Sequence, residues 1–302
     1  MLHQTVPPAA VMAFERGDLV SARSLAQQQL ADAQRSPQLC HLMGLIECRL
    51  GKFGEGVEWL RQAVEMDGAN PAYRIVLARA LIDTGQAAEA LRVATVEGGG
   101  SPELWQVRAE AAFVAGERGI ESEAWAKLCR LRPRDFLLWM NLARSLLAQS
   151  RFDEAETAYY RALSVAPRHV VAIHELGLTL ERTNKIDELS ALLEQALQLG
   201  ISKEALAEVW AALELRRRRP HEARSLLRRV PPGADPVRWN RLRVRAFDAT
   251  GEAQAAFEAA TAMNRAVPQY SNARAAGAQY RAQLGKLAAV ITPEWAASLP
   301  RL

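Results

Sequence analysis

The sequence predicts an all-α fold, an α-solenoid of about eight stacked helix-turn-helix units with a C-terminal capping helix. Three observations carry this expectation. Large and small apolar residues recur with a period of 34 in the 302-residue chain, the signature of stacked helical hairpins. The clearest copy is 136–169, where Trp139, Leu142, Ala143, Leu146, Ala155, Tyr159, Ala162 and Pro167 occupy positions 4, 7, 8, 11, 20, 24, 27 and 32. A small residue recurs at position 8, and a glycine or its substitute recurs at position 15.

Taken in order, the units start at 3, 37, 71, 102, 136, 170, 204 and 237. Position 8, where the first helix (A) meets the second (B), reads Ala10, Gly44, Ala78, Ala109, Ala143, Gly177, Ala211 and Val244, small in seven of eight. Position 15 must end helix A, a place that favours left-handed backbone. It reads Gly17, Gly51, Gly85, Gly116, Ser150, Asn184, Arg218 and Gly251. Position 20, the small contact on helix B, reads Ala22, Gly56, Ala90, Glu121, Ala155, Leu189, Ala223 and Ala256. Glu121 breaks that rule and predicts a local shift or a splayed hairpin. Pro37, Pro71 and Pro102 open helices, where a missing N–H costs nothing.

Two breaks interrupt the pattern. Gly98-Gly99-Gly100 predicts a flexible joint at 98–101, and the run 231–236, PPGADP, predicts a stiffer one. Repeats therefore fill 1–270. In 271–302, Ala275, Ala278, Tyr280, Ala282, Leu284 and Leu287 predict a capping helix, followed by a tail.

Composition narrows the function. Hydrophobic residues make up 49% of the chain, enough for a core. Cys40, Cys48 and Cys129 form no metal-ligand spacing and read as small buried hydrophobes in a reducing compartment. No signal peptide and no 18-residue apolar stretch is evident, so the sequence predicts a cytoplasmic protein. No nucleophile elbow, phosphate loop or zinc helix occurs. His174-Glu175 lacks a second histidine. Asp153-Glu154 and Asp187-Glu188 fall where acids favour a helix N-terminus. The expectation is a non-enzyme with no cofactor, no metal and no catalytic residue.

Charge is uneven. The stretch 216–245 holds eleven arginines, no lysine, and the acids Glu222 and Asp235. That leaves −5 for the rest of a chain whose formal charge is +4. Arg216, Arg217, Arg218 and Arg219 form a basic patch suited to an anionic partner. Only Trp210 and Trp239 lie nearby, which argues against base stacking and ranks an RNA-binding repeat last.

With Trp139, Ala143, Ala155, Tyr159, Ala162 and Pro167 in place, the chain resembles the tetratricopeptide repeat family, over roughly 3–270. The resemblance implies that helix A lines a concave groove through positions 2, 5, 6, 9, 12 and 13. Candidate partner-binding residues at positions 5, 6 and 9 are then Arg79, Gln106, Asn141, Arg144, His174, Arg241 and Arg245. Asn141 offers a backbone both donor and acceptor, and the arginines offer carboxylate forks. The implied partner is a protein or peptide segment.

The tail carries a second resemblance. Ala256-Phe257, Asn264-Arg265, Tyr280-Arg281 and the run 291–295 (ITPEW) resemble the junction in bacterial proteins that join such repeats to a C-terminal sulfotransferase domain. It implies a recognition or assembly region whose catalytic domain would bind 3′-phosphoadenylyl sulfate. The chain ends at Leu302, and no phosphosulfate loop occurs within it.

Overall fold

A computed structural model describes residues 8–32, 35–95, 100–229 and 235–266. Among them are sixteen α-helices, one 3-10 turn and no strand. Gly98 and Gly99, residues 230–234, and the capping helix and tail expected in 271–302 lie outside the described residues. The chain separates into two compact units, 1–201 and 202–302.

The first unit holds six hairpins. They are α1 (Pro8–Glu15) with α2 (Leu19–Asp32), α3 (Pro37–Arg49) with α4 (Phe53–Met66), α5 (Pro71–Asp83) with α6 (Ala87–Val93), α7 (Pro102–Ala115) with α8 (Arg118–Leu131), α9 (Phe136–Ala148) with α10 (Phe152–Val165), and α11 (Val170–Arg182) with α12 (Ile186–Gln198). Each helix packs against its sequence neighbours, and α3, α5 and α7 also pack side by side. That is the quasi-one-dimensional contact pattern of a solenoid. The second unit holds a 3-10 turn (Glu204–Leu206) leading into α13 (Ala207–Arg216), then α14 (Pro220–Arg229), α15 (Pro236–Ala249) and α16 (Ala253–Ala266). Within it, α13, α14 and α15 pack mutually, and α16 packs on α15.

The register read from the sequence holds across both units. Every helix B, from Leu19 to Ala253, opens at position 17. All eight residues at position 15 have positive φ, including Ser150 (59°), Asn184 (60°) and Arg218 (58°). The hydrogen bonds explain why. At the end of α3, the Lys52 N–H donates to the Glu47 carbonyl (2.9 Å) and the Gly51 N–H to the Cys48 carbonyl (3.0 Å). At the end of α13, Arg219 and Arg218 donate in the same way to Glu214 (2.8 Å) and Leu215 (3.2 Å). The left-handed residue thus turns two N–H groups back onto orphan carbonyls. A non-glycine residue there costs about 1–2 kcal/mol. Arg218→Gly is therefore expected to stabilise the second unit by roughly 1 kcal/mol, read as a higher urea midpoint. A midpoint at or below wild type would contradict this.

Position 8 is buried from Ala10 to Ala211, and Val244 packs on the Phe247, Ala256 and Ala259 cluster. The shift expected around Glu121 does not occur. Glu121 is 5% exposed in α8, which opens in register, and Arg118 one turn back bonds its carboxylate at 2.8 Å. A buried carboxylate is tolerated when a charged donor reaches it.

Helix A is also capped at its start. Ser36, Asn70, Ser101, Asp135, His169 and Asp235 each accept a backbone N–H of the first turn. Helix B lacks such side-chain caps at Lys52, Gln86, Glu117, Arg151 and Lys185. The acids Asp153, Glu154, Asp187 and Glu188 instead sit in the first turns of α10 and α12, where they complement the helix dipole. The α6 helix is only seven residues long. Arg74 bonds the Val93 carbonyl at 2.9 Å and also that of Thr95, so the shortened end keeps partners for its exposed carbonyls.

Candidate functional site

In the first unit, the A helices α7 and α9 stand one repeat apart with α8 behind them. Between them lies a groove of about 750 Å³. Gln106, Glu110, Phe113 and Val114 come from α7, and Leu137, Leu138, Asn141 and Arg144 from α9. Trp125 of α8, 7% exposed, lies among the lining residues at the back. The wall is apolar and open: Phe113 is 56%, Val114 50% and Leu137 65% exposed. The Arg118 guanidinium sits 4.6 Å from the Phe113 ring centre, within cation–π range.

Its polar groups differ in availability. Gln106 donates to Glu110 at 2.9 Å. Asn141 is partly buried, and no hydrogen bond engages its side chain among the described residues. Arg144 is occupied: its Nε and Nη2 donate to Glu175 on α11 at 2.9 and 2.7 Å. The Tyr159 hydroxyl donates to the same carboxylate at 2.9 Å. Hydrogen bonding to Glu175 raises the pKa of Arg144. Burial, then Glu175, pushes the Tyr159 phenol upward, so it stays a neutral donor. Arg144 therefore reads as a brace between α9 and α11 rather than a free carboxylate fork.

The other candidate residues are dispersed. Arg79 is exposed on α5, with no ionic partner among the described residues. His174 is partly buried on α11, off the groove lining. Arg241 and Arg245 are exposed on α15 of the second unit, and Arg216 through Arg219 are exposed at the α13–α14 turn. Residues 2, 12 and 13 of the repeat, which give Leu137, Phe113 and Val114, supply the apolar wall. They belong to the same concave positions that the family resemblance implies, and that was the available signal.

His41, at position 5 on α3, packs tilted against Tyr73 with ring centres 4.8 Å apart and the planes at 46°. Its Nδ1 is buried without a hydrogen-bond partner. Burial pushes the imidazole below its ordinary value of 6.5. The folded state thus resists a proton that the unfolded chain takes up near 6.5, so His41 adds stability above that pH and loses it as pH falls below. His41→Phe, which keeps an aromatic ring against Tyr73, is expected to lessen the fall in urea midpoint between pH 7 and about 5.5. An unchanged pH slope would refute the assignment.

Among the described residues no cluster of three or more His, Cys, Asp or Glu is placed to hold a metal, and no helix is long and apolar enough to cross a membrane. Burial raises the thiol pKa values of Cys40 and Cys48 and pushes Cys129 up to about 12, which makes them poor nucleophiles.

Stacked hairpins of one period with an open helix A face define a helical-repeat protein. The family profile of the tetratricopeptide repeat matches residues 37–70 and 137–169. No curated protein matches the chain. Among solved structures, that of Naa15/Naa10 bound to HypK-THB aligns with TM-score 0.57 and 16% identity, covering 79% of this chain and 38% of that one. The C-terminal part of a TPR repeat-containing protein from Cytophaga hutchinsonii aligns with TM-score 0.53 and 11% identity, covering 87% and 96%. At these identities the shared property is the fold. Of the tail's junction-like residues, Ala256-Phe257 and Asn264-Arg265 lie in α16, while Tyr280-Arg281 and 291–295 lie outside the described residues.

Proposed function

We propose that the chain is a non-enzymatic scaffold that holds a segment of a partner protein in the α7–α9 groove. The observation that carries this is the pairing of exposed Phe113, Val114 and Leu137 with the unengaged amide of Asn141. Apolar side chains of the segment cover the wall, and its backbone bonds to the amide, which both donates and accepts. A few buried anchors carry most of such binding. The test uses a partner isolated with the wild-type chain. Leu137→Asp with Asn141→Ala is expected to weaken binding at least tenfold, about 1.4 kcal/mol, with helical circular dichroism unchanged. Equal affinity would remove the groove from the binding surface. Arg144 is left intact, because its loss would also unbrace α9 from α11.

Phe257, 70% exposed on α16 within the junction-like sequence, favours a second reading. There the chain is the recognition region of a sulfotransferase, and Phe257 meets a further domain. An open frame beyond codon 302 encoding a phosphosulfate loop would support it. A stop codon at that point would overturn it.

A further inference from the structure

We propose that the outer side of the first unit carries a second docking surface, a furrow between α8 and α10 that takes an amphipathic helix of a partner protein. The furrow holds about 450 Å³. Its floor is Trp139, Leu142 and Leu146 of α9. With about 3.6 residues per turn, these three lie nearly opposite Leu137, Asn141 and Arg144, so α9 separates the furrow from the α7–α9 groove. The Trp139 Nε1–H donates to the Pro133 carbonyl at 2.9 Å, which satisfies the polar edge of the indole.

The furrow is open because a side chain that bridges successive B helices elsewhere is missing. Across α4 and α6, Arg61 at repeat position 25 bonds Glu89 at position 19 of the next unit at 2.8 Å. Across α10 and α12 the same two positions hold Tyr160 and Glu188, which stand within electrostatic reach of each other. On α8, position 25 is Ala126, and Glu154 at position 19 of α10 turns instead to Arg151 at 2.7 Å. No ion pair joins α8 to α10 among the described residues. Gly119 adds to the gap, since a Cβ built on it would meet nothing within 4 Å.

The lining selects the partner. The floor residues span about 10.5 Å along α9, close to two turns, and helices that dock in grooves place their apolar anchors at that spacing. Glu123 and Arg130, also seven residues apart, stand on the α8 wall. Both are exposed, and neither has an ion-pair partner among the described residues. Lys127, between them, is off the lining and likewise has no ion-pair partner there. The wall is thus acidic toward the start of α8 and basic toward its end. A complementary helix carries an acid and a base seven residues apart, with apolar residues between them on the same face. Its acid toward the N-terminus and its base toward the C-terminus also suit its own dipole, so it runs antiparallel to α8.

The test uses the full chain and a labelled, alanine-rich helical peptide with glutamate, two leucines and lysine at i, i+3, i+4 and i+7. Saturable binding is expected. Ala126→Tyr fills the furrow with the side chain that α10 carries at the same repeat position, and should lower affinity at least tenfold with helical circular dichroism unchanged. Glu123→Lys should lower it at least fivefold, and a peptide whose lysine is replaced by glutamate should bind that variant within twofold of the original pair. Leu137→Asp, in the α7–α9 groove, should leave peptide affinity within twofold of wild type. The proposal is overturned if the wild-type chain does not bind the peptide, or if Ala126→Tyr and Glu123→Lys bind it as wild type does. It is also overturned if Leu137→Asp weakens binding as much as Ala126→Tyr, which would put the helix in the other groove. A dimer in sedimentation that Ala126→Tyr dissolves would give the furrow to a second copy of the chain and overturn it as well.

Discussion

Gly44→Leu is expected to destabilise the first unit by about 2–3 kcal/mol, the upper part of the range for overpacked cores. Gly44 lies where α3 crosses α4. A Cβ added there would stand 2.5 Å from Leu60 Cγ, 2.8 Å from Leu60 Cδ2 and 3.0 Å from the Gly56 carbonyl oxygen. Leu60 is fully buried and cannot yield, and its Cγ is a branch point rather than a flexible end. The helix must move, or the leucine must leave its rotamer. Replacing a mid-helix glycine returns roughly 1 kcal/mol of propensity, which is smaller than the clash. Gly54→Leu is the internal control. Gly54 is in the same hairpin, on α4, and nothing lies within 4 Å of its added Cβ. It should be neutral or slightly stabilising. The measurement is the thermal midpoint, expected to fall by about 5–10 °C for Gly44→Leu and not for Gly54→Leu. Equal midpoints would show that α3 and α4 do not meet at this glycine.

That crossing was legible in the sequence because the hairpin imposes strict local demands. A small residue at position 8 and a left-handed one at position 15 are needs of single positions, met within one unit. Helix starts at position 17 follow from them. The caps at Ser36, Asn70, Ser101 and Asp235, each followed by proline or an A helix, were equally local, but the periodicity does not reveal them because they lie just outside the apolar pattern.

The site was less legible, since it depends on how units sit side by side. The Arg144–Glu175 pair spans 31 residues and joins position 9 of one unit to position 6 of the next. Arg238–Glu208 joins position 2 to position 5 with the same offset of three. Without that offset, Arg144 looked available. The apolar wall posed the opposite difficulty. Phe113, Val114 and Leu137 look like core residues by their chemistry alone; their places at repeat positions 12, 13 and 2 were the signal against that, and the structure shows them exposed. Glu121 looked like a break in register because the sequence does not show that Arg118 covers it.

Tyr159→Ala is expected to be the more severe change, costing about 3–5 kcal/mol, the range for removing a buried aromatic ring. Tyr159 is fully buried and is the largest such side chain among the described residues. It does two things at once. Its ring fills the space between α10 and its neighbours, and its hydroxyl donates to Glu175 on α11, which Arg144 of α9 also grips. Tyr159→Phe separates the two. It keeps the ring and removes one donor, while Glu175, 24% exposed and still bound by Arg144, keeps its main partner. Its cost should be about 1 kcal/mol, the net worth of a hydrogen bond. A three-helix brace predicts more than this pair of numbers. Tyr159→Phe with Arg144→Ala should cost more than the two single changes added together, because the double change leaves Glu175 without either donor. Urea denaturation of the four proteins completes the cycle. Strict additivity would mean that Tyr159 and Arg144 act on Glu175 independently, and that the α9 wall of the groove is held by packing alone.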